Sequence, residues 1–352
     1  MRILIIYDGK PGHLSQSLGL ANLIVARTAQ TVSIDHLIAK PEIKLLNRLL
    51  RRLSVIDHSI ITWIVKQAYR ADIPKARPDL IVSFGGNVIA LNIALRNYWK
   101  ANNIVIGNCY SIPSQFFDAQ ITMFGEENHS KNIASFVALS GISRKECLSL
   151  GKQLNSKYSN TRHWAMLIGG NGSGYEYTED DFHHLGRSMA GLSYRYGIKW
   201  LVTTSRRTDV IAEIILRKYL THETTSNVCF YNSGENSCIK SIVGASERIF
   251  CTEDSLSMLS ESVSLAKPVI SVKPEKTSNQ GIHRKTVDRM TSIGLIDPIE
   301  IHELSTYQPT QFAPEKSYDA HLEDIYQQTK QRVIKANHVR TPAFMEEEIT
   351  AQ

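Results

Sequence analysis

A chain of 352 residues with 42% hydrophobic side chains can bury more than one core and predicts two domains. No run of about 18 apolar residues occurs, which argues against a membrane-spanning helix; five scattered cysteines without a CxxC pair argue against a zinc ribbon and fit a reducing, cytoplasmic setting. The net charge is +6, yet nine basic residues stand against three acids between Lys40 and Arg77, so one segment carries the whole excess and a nucleic-acid surface along the chain is not expected.

The opening residues, MRILIIYDGKPGH, hold a short apolar run ending at Asp8, the pattern of a buried first strand and not of a signal peptide. Gly9 and Gly12 supply a turn, and Leu18, Leu20, Leu23 and Ile24 give the next helix its apolar face. Residues 31–38 predict a second strand. In the basic segment, Leu45, Leu46, Leu49, Leu50 and Leu53 interleave with Lys44, Arg48, Arg51 and Arg52, and Ile60, Ile61, Trp63 and Ile64 follow. Such a basic amphipathic helix suits the anionic inner leaflet of a membrane, and it equally suits a helix packed on a sheet with a solvated basic face. Residues 79–84 predict a strand ending in Gly85, Gly86 and Asn87, which open a helix over 88–98; strands over 103–106, 119–124 and 136–139 complete the first set.

Residues 146–162 turn polar, with Ser, Asn and Lys, and predict a linker between an N-terminal domain (1–145) and a second domain (163–310). There the pattern restarts, with strands over 164–168, 200–204, 228–231, 248–251 and 269–272 and helices between them. A C-terminal helix and tail take residues 311–352. Short apolar strands alternating with helices predict an α/β fold, two parallel sheets of similar size meeting at a cleft.

Three loops of the second half fall at strand ends. Gly169, Gly170, Asn171, Gly172, Ser173 and Gly174 let a backbone approach a ligand, although GGNGSG matches neither the dinucleotide fingerprint nor a P-loop. Arg206 and Arg207 form a clamp for a diphosphate; cations at a helix start oppose the macrodipole, so a merely solvated pair would be out of place. Thr252, Glu253, Asp254 and Ser255 turn a strand into a helix that carries Ser257 and Glu261, and taken alone this is an ordinary capped helix start. The loop after the last strand adds Gln280 to the same edge. In the first half, Asp8, Lys10 and His13 share one Gly-rich turn, and either Asp8 or His13 could take a proton from an attacking hydroxyl.

Together these stretches resemble a family of bacterial glycosyltransferases of GT-B architecture, grouped with the plant mitochondrial-fission Elm-type proteins. The resemblance is carried by DGKPGHLSQSLGLA (8–21), PDLIVSFGG (78–86), LIGGNGSGY (167–175), TSRRT (204–208), and TEDSLSMLSES with KPV (252–262 and 267–269), in the family's order over about residues 1–294. The chain departs from it at Gly85, Gly86 and Asn87, where a Gly–His or Gly–Arg loop is expected. The resemblance implies two Rossmann-like domains facing across a cleft. It implies a metal-independent transferase that needs no cofactor beyond a nucleotide-sugar co-substrate. In that scheme Gly169, Gly170, Asn171, Ser173, Arg206, Arg207, Thr252, Glu253, Asp254, Ser255, Ser257, Glu261 and Gln280 bind the donor. Lys10, Gly85, Gly86 and Asn87 lie on the acceptor side with Asp8 or His13 as base. The acceptor would be a cell-surface glycolipid or polysaccharide, and the enzyme a peripheral protein at the inner membrane. Two alternatives share the fold: a nucleotide-sugar epimerase or hydrolase, and a non-catalytic adaptor.

Overall fold

The computed structural model describes residues 1–109, 112–123, 131–158, 161–235, 239–278, 281–310 and 314–334. The chain divides into two compact units, one formed by Met1–Ser135 with His321–Gln352 and the other by Phe136–Ala320.

The first unit is built on a parallel six-stranded sheet. Its strands lie in the order Ser33–Ile38, Arg2–Tyr7, Leu80–Phe84, Asn102–Ile106, Ala119–Thr122 and Asn132–Ala134. Numbered along the chain this is 2-1-3-4-5-6, so the order reverses between the first and third strands. Ile3 to Ile6 and Leu80 to Val82 are almost fully buried, as β-branched and Leu-rich runs covered on both faces must be. The expected strand at 136–139 does not form. Its apolar residues Val137 and Leu139 are buried, and Val137 packs in a core of the second unit, while Asn132–Ala134 takes the edge of the sheet. The basic segment is not one helix but a hairpin, with helices at Asn47–Ser54 and Ser59–Gln67, closed at its base where Lys40–Pro41 pairs with Tyr69–Arg70.

The second unit has a parallel sheet in the order Thr225–Cys229, Ile198–Thr204, Arg162–Ile168, Arg248–Thr252, Val269–Lys273 and Asp297–Glu300. Numbered along the chain this is 3-2-1-4-5-6, the strand order of dinucleotide-binding sheets. Alternate residues of Arg162–Ile168 feed two cores: Trp164, Met166 and Ile168 join an aromatic-rich cluster with Trp200 and Phe250, and Ala165 and Leu167 join a second on the other face. Residues 146–162, expected as a linker, instead carry most of the helix Arg144–Asn155, which buries Cys147 and Gly151 against the helix Ile239–Ala245. The polar residues that suggested a linker are its solvent face. The sixth strand was not foreseen, because DPIE contains a proline and does not alternate; such a strand is tolerated at a sheet edge.

Candidate functional site

In open parallel sheets, ligands bind beyond the carboxyl ends of the strands where the order reverses. In the first unit that point lies between Arg2–Tyr7 and Leu80–Phe84, and the residues that follow both strands meet there. His13 Nδ1 lies 2.7 Å from Asp8 Oδ1, and Asn87 Nδ2 donates to Asp8 Oδ2 at 2.9 Å. Lys10 adds a longer ion pair at 3.5 Å. Burial pushes the Asp8 carboxyl up, but the hydrogen bond from Asn87 and the neighbouring His13 outweigh it, so its pKa lies below the usual value and the group is a carboxylate. With Nδ1–H donated to Asp8, His13 Nε2 is left as the proton-accepting nitrogen, and it has no partner among the described residues.

The local sequence makes this geometry. Gly85 adopts φ +89°, and a Cβ there would stand 3.1 Å from the His13 ring, so a side chain at this position would push the imidazole off its carboxylate. The ring rests on Phe84 with centroids 4.5 Å apart. Asn87 is itself held: Asn47 Nδ2 donates to its Oδ1 at 2.9 Å, and Tyr69 donates to its backbone carbonyl at 2.9 Å. Asn87, where the sequence departs from the family pattern, thus fixes the orientation of Asp8. Nothing in the sequence pointed to Asn47 and Tyr69, which come from the basic hairpin.

In the second unit the order reverses between Arg162–Ile168 and Arg248–Thr252, and three of the expected loops converge there. Thr252 Oγ1 accepts from Gly169 N at 2.6 Å, and Asp254 Oδ2 accepts from Gly170 N at 3.1 Å and pairs with Arg207 at 2.7 Å. Thr208 donates to the carbonyls of Ile168 and Gly169. A Cβ on Gly169 would collide with the Asp254 carboxyl and one on Gly170 with the Arg207 backbone, so these glycines serve close packing of loop on loop. Asn171 Oδ1 accepts from Tyr177 N at 2.7 Å. Six groups expected to meet a donor therefore make contacts within and between the loops: the N–H groups of Gly169 and Gly170, and the side chains of Asn171, Arg207, Thr252 and Asp254.

Asp254 is fully buried with Oδ1 unpaired, and burial raises its pKa against the pull of Arg207. Glu253 is also buried. Tyr175 donates to it at 2.9 Å and Ser271 at 3.2 Å, Arg284 pairs with it at 3.4 Å, and burial raises its pKa. It anchors the start of the helix Ile282–Ser292 to the strand end. Arg284 and Tyr175 are members of this edge that sequence reading missed.

Other groups remain open. Arg206 is exposed and has no partner among the described residues. The helix Leu256–Val263 has no side-chain cap hydrogen bond from its N-cap residue, the buried Ser255, and its first turn carries the exposed Ser257. Glu261, one turn further on, is half-buried, its carboxyl has no hydrogen-bond partner among the described residues, and burial pushes its pKa up to about 7. Ser173 and Gly174 complete the glycine turn; Gln280 lies outside the described residues. Among the described residues no group of three or more His, Cys, Asp or Glu could hold a metal ion, and no helix is long and apolar enough to cross a membrane.

Among solved structures, the UDP-GlcNAc 2-epimerase of Methanocaldococcus jannaschii superposes with a TM-score of 0.54 at 11% identity, over 96% of this chain and all of that one. The ADP-heptose lipopolysaccharide heptosyltransferase II of Escherichia coli gives 0.46 at 12% identity, over 92% and 99% of the two chains. The fold is the GT-B type, two Rossmann-like α/β/α domains, which epimerases and glycosyltransferases share. An uncharacterised Rickettsia prowazekii protein is 22% identical over 307 residues, covering 76% of this chain and 82% of that protein. The family model described as mitochondrial fission ELM1 matches residues 11–325, and the chain belongs to that family.

Proposed function

We propose that the protein is a glycosyltransferase that moves a sugar from a nucleotide-sugar donor to a glycolipid or polysaccharide acceptor of the cell surface. The observation that carries this reading is that the two reversal points hold unlike chemistry. Among the described residues, one has a carboxylate-oriented imidazole whose Nε2 has no partner; the other has an arginine without a partner, a helix N-terminus without a side-chain cap and a perturbed carboxyl. A proton acceptor and an anion-binding edge are the two parts a transfer from a nucleotide sugar needs.

In this mechanism His13 Nε2 takes the proton of the acceptor hydroxyl and Asp8 stabilises the imidazolium. The acceptor oxygen attacks the anomeric carbon, and the bond from that carbon to the β-phosphate oxygen breaks. The leaving diphosphate is met by Arg206 and by the N–H groups at the start of Leu256–Val263, with Ser255 and Ser257 beside them. Glu261 accepts hydrogen bonds from donor hydroxyls. Asp254 and Arg207 keep the glycine loop closed behind this edge. The acceptor is reached at the cytoplasmic face of a membrane.

The test is a pair of variants assayed with a panel of nucleotide sugars. Arg206→Ala is expected to lower transfer by about 10²–10³-fold, the cost of losing one charge stabiliser, with an unchanged melting temperature. His13→Ala is expected to lower it by about 10²–10⁴-fold while nucleotide affinity is kept. A well-folded Arg206→Ala protein with full activity overturns the assignment. Product analysis without acceptor separates transfer from an epimerase or hydrolase, which would consume the donor alone. Failure of every nucleotide to shift the melting temperature favours an adaptor.

A further inference from the structure

The hairpin Asn47–Ser54 and Ser59–Gln67 is apolar on two faces where one would suffice. Its inward side chains Leu50, Leu53, Ile61 and Val65 pack in a core with the helix Ile89–Trp99. Its outward side chains also include large apolar groups. Leu45 is 92% exposed, Leu49 49%, Ile60 60% and Trp63 60%. Eight of the sixteen large exposed apolar side chains among the described residues fall between Ile43 and Ile64, so the patch is concentrated and not the scatter of an ordinary surface.

Charge is concentrated in the same place. Arg48 and Arg52 are exposed on the first helix, one residue from the outward Leu49 and three from it, and Asp57 is the one acid from residue 43 to residue 68. Lys66 projects over the Tyr98 ring at 3.4 Å beside Trp63, and a cavity of about 350 Å³ opens there, with Trp63, Lys66, Tyr98 and Lys100 in its lining together with Asp57. Apolar side chains ringed by Arg and Lys, with a Trp among them, match the layered chemistry of a bilayer whose surface is anionic: acyl chains below, phosphate-bearing headgroups at the level of the cations. A protein partner would need an acidic apolar face; the mixture of aliphatic, Trp and basic side chains favours lipid.

We propose that this hairpin is an interfacial anchor that lies in the plane of an anionic lipid surface, with Leu45, Leu49, Ile60 and Trp63 inserted and Arg48 and Arg52 on headgroup phosphates. The proposal deepens the reading of a membrane-borne acceptor by naming the surface that reaches it. Because lipid binding needs neither donor nor catalysis, its failure is separable from failure of the transferase reading.

Tryptophan emission reads the anchor directly, because Trp99, Trp164 and Trp200 are buried and Trp63 is exposed. The full chain is mixed with vesicles of phosphatidylcholine alone or with added phosphatidylglycerol, at low and high salt. Expected are co-sedimentation and a blue shift with the anionic vesicles, both weakened by salt and absent with phosphatidylcholine alone. Arg48→Ala and Arg52→Ala should each weaken binding by about fivefold, the weight of one basic residue at such a surface. Leu45→Ser with Leu49→Ser should abolish it without lowering the melting temperature, and Trp63→Phe should bind with the shift lost. Absence of co-sedimentation with anionic vesicles overturns the proposal. So does binding indifferent to the Leu45 and Leu49 changes. A blue shift that appears on concentrating the protein without lipid, with a dimer in sedimentation, would assign the face to a second copy.

Discussion

Glu261 shows how a single side chain can be costly for the fold and still be kept. Its carboxyl is half-buried with no hydrogen bond among the described residues, and burial pushes its pKa up from 4.5 to about 7, only partly opposed by Lys240. The folded state therefore binds the proton more tightly than the unfolded chain does. The cost of ionising it is absent below about pH 4.5 and complete above about pH 7, so stability falls as pH rises through that window. Glu261→Gln is expected to be more stable than the parent protein at pH 8, by up to about 3 kcal/mol in denaturant unfolding, to match it at pH 4, and to lose nucleotide affinity. An unchanged pH slope would remove Glu261 from the perturbed groups. Arg207 gives the opposite case. Its removal leaves the fully buried Asp254 without its cation, and Arg207→Ala should cost about 2 kcal/mol, below the roughly 3–5 kcal/mol of a fully buried pair because the arginine is partly exposed; denaturant unfolding at fixed pH measures it. The sequence named Asp8, His13, Arg207, Thr252 and Asp254, since residue type and position after a strand are visible in it. It did not tell a ligand contact from an internal one, because Asp254 meets Gly170 84 residues away.

Between elements, the helices Arg144–Asn155 and Ile239–Ala245 approach each other closely. A Cβ on Gly244 would collide with the Cys147 carbonyl, and one on Gly151 with the Gly244 backbone, so the helices touch main chain to main chain. Lys267 donates to the carbonyls of Val243, Gly244 and Ser246, closing the end of the second helix. Gly244→Ala is expected to destabilise by about 3 kcal/mol, the upper range of overpacking, since backbone cannot swing aside. Its melting temperature should drop by about 6–12 °C. A change below about 1 °C would mean that the helices can separate at no cost. The same contact explains the misread linker. Polar composition on one face of a helix mimics a loop until the neighbour that covers its other face is in place.

Across the whole chain, residues 321–334 return to the first unit. Arg27 pairs with Glu323 at 2.8 Å, Tyr326 donates to the Arg27 carbonyl at 3.0 Å, Asn102 donates to the Val333 carbonyl at 2.9 Å, and Arg332 donates to the Asn132 carbonyl at 2.8 Å. A chain ending at Ala320 should therefore lose stability in the first unit and keep nucleotide binding in the second. Calorimetry would show one lowered transition and one unchanged; a uniform shift of both would deny the assignment. The alternation of apolar strands with helices determined by itself the two parallel sheets and the loops at their carboxyl edges, since burial on both faces dictates a local pattern that any one segment displays. The motifs at those edges carried the family. Tertiary structure alone decided the strand orders, the dyad propped by Asn47 and Tyr69, the use of Thr252 and Asp254 inside the loops, and the double-faced hairpin. Each of these depends on partners tens of residues apart, whose meeting is fixed by packing and leaves no periodicity in the chain.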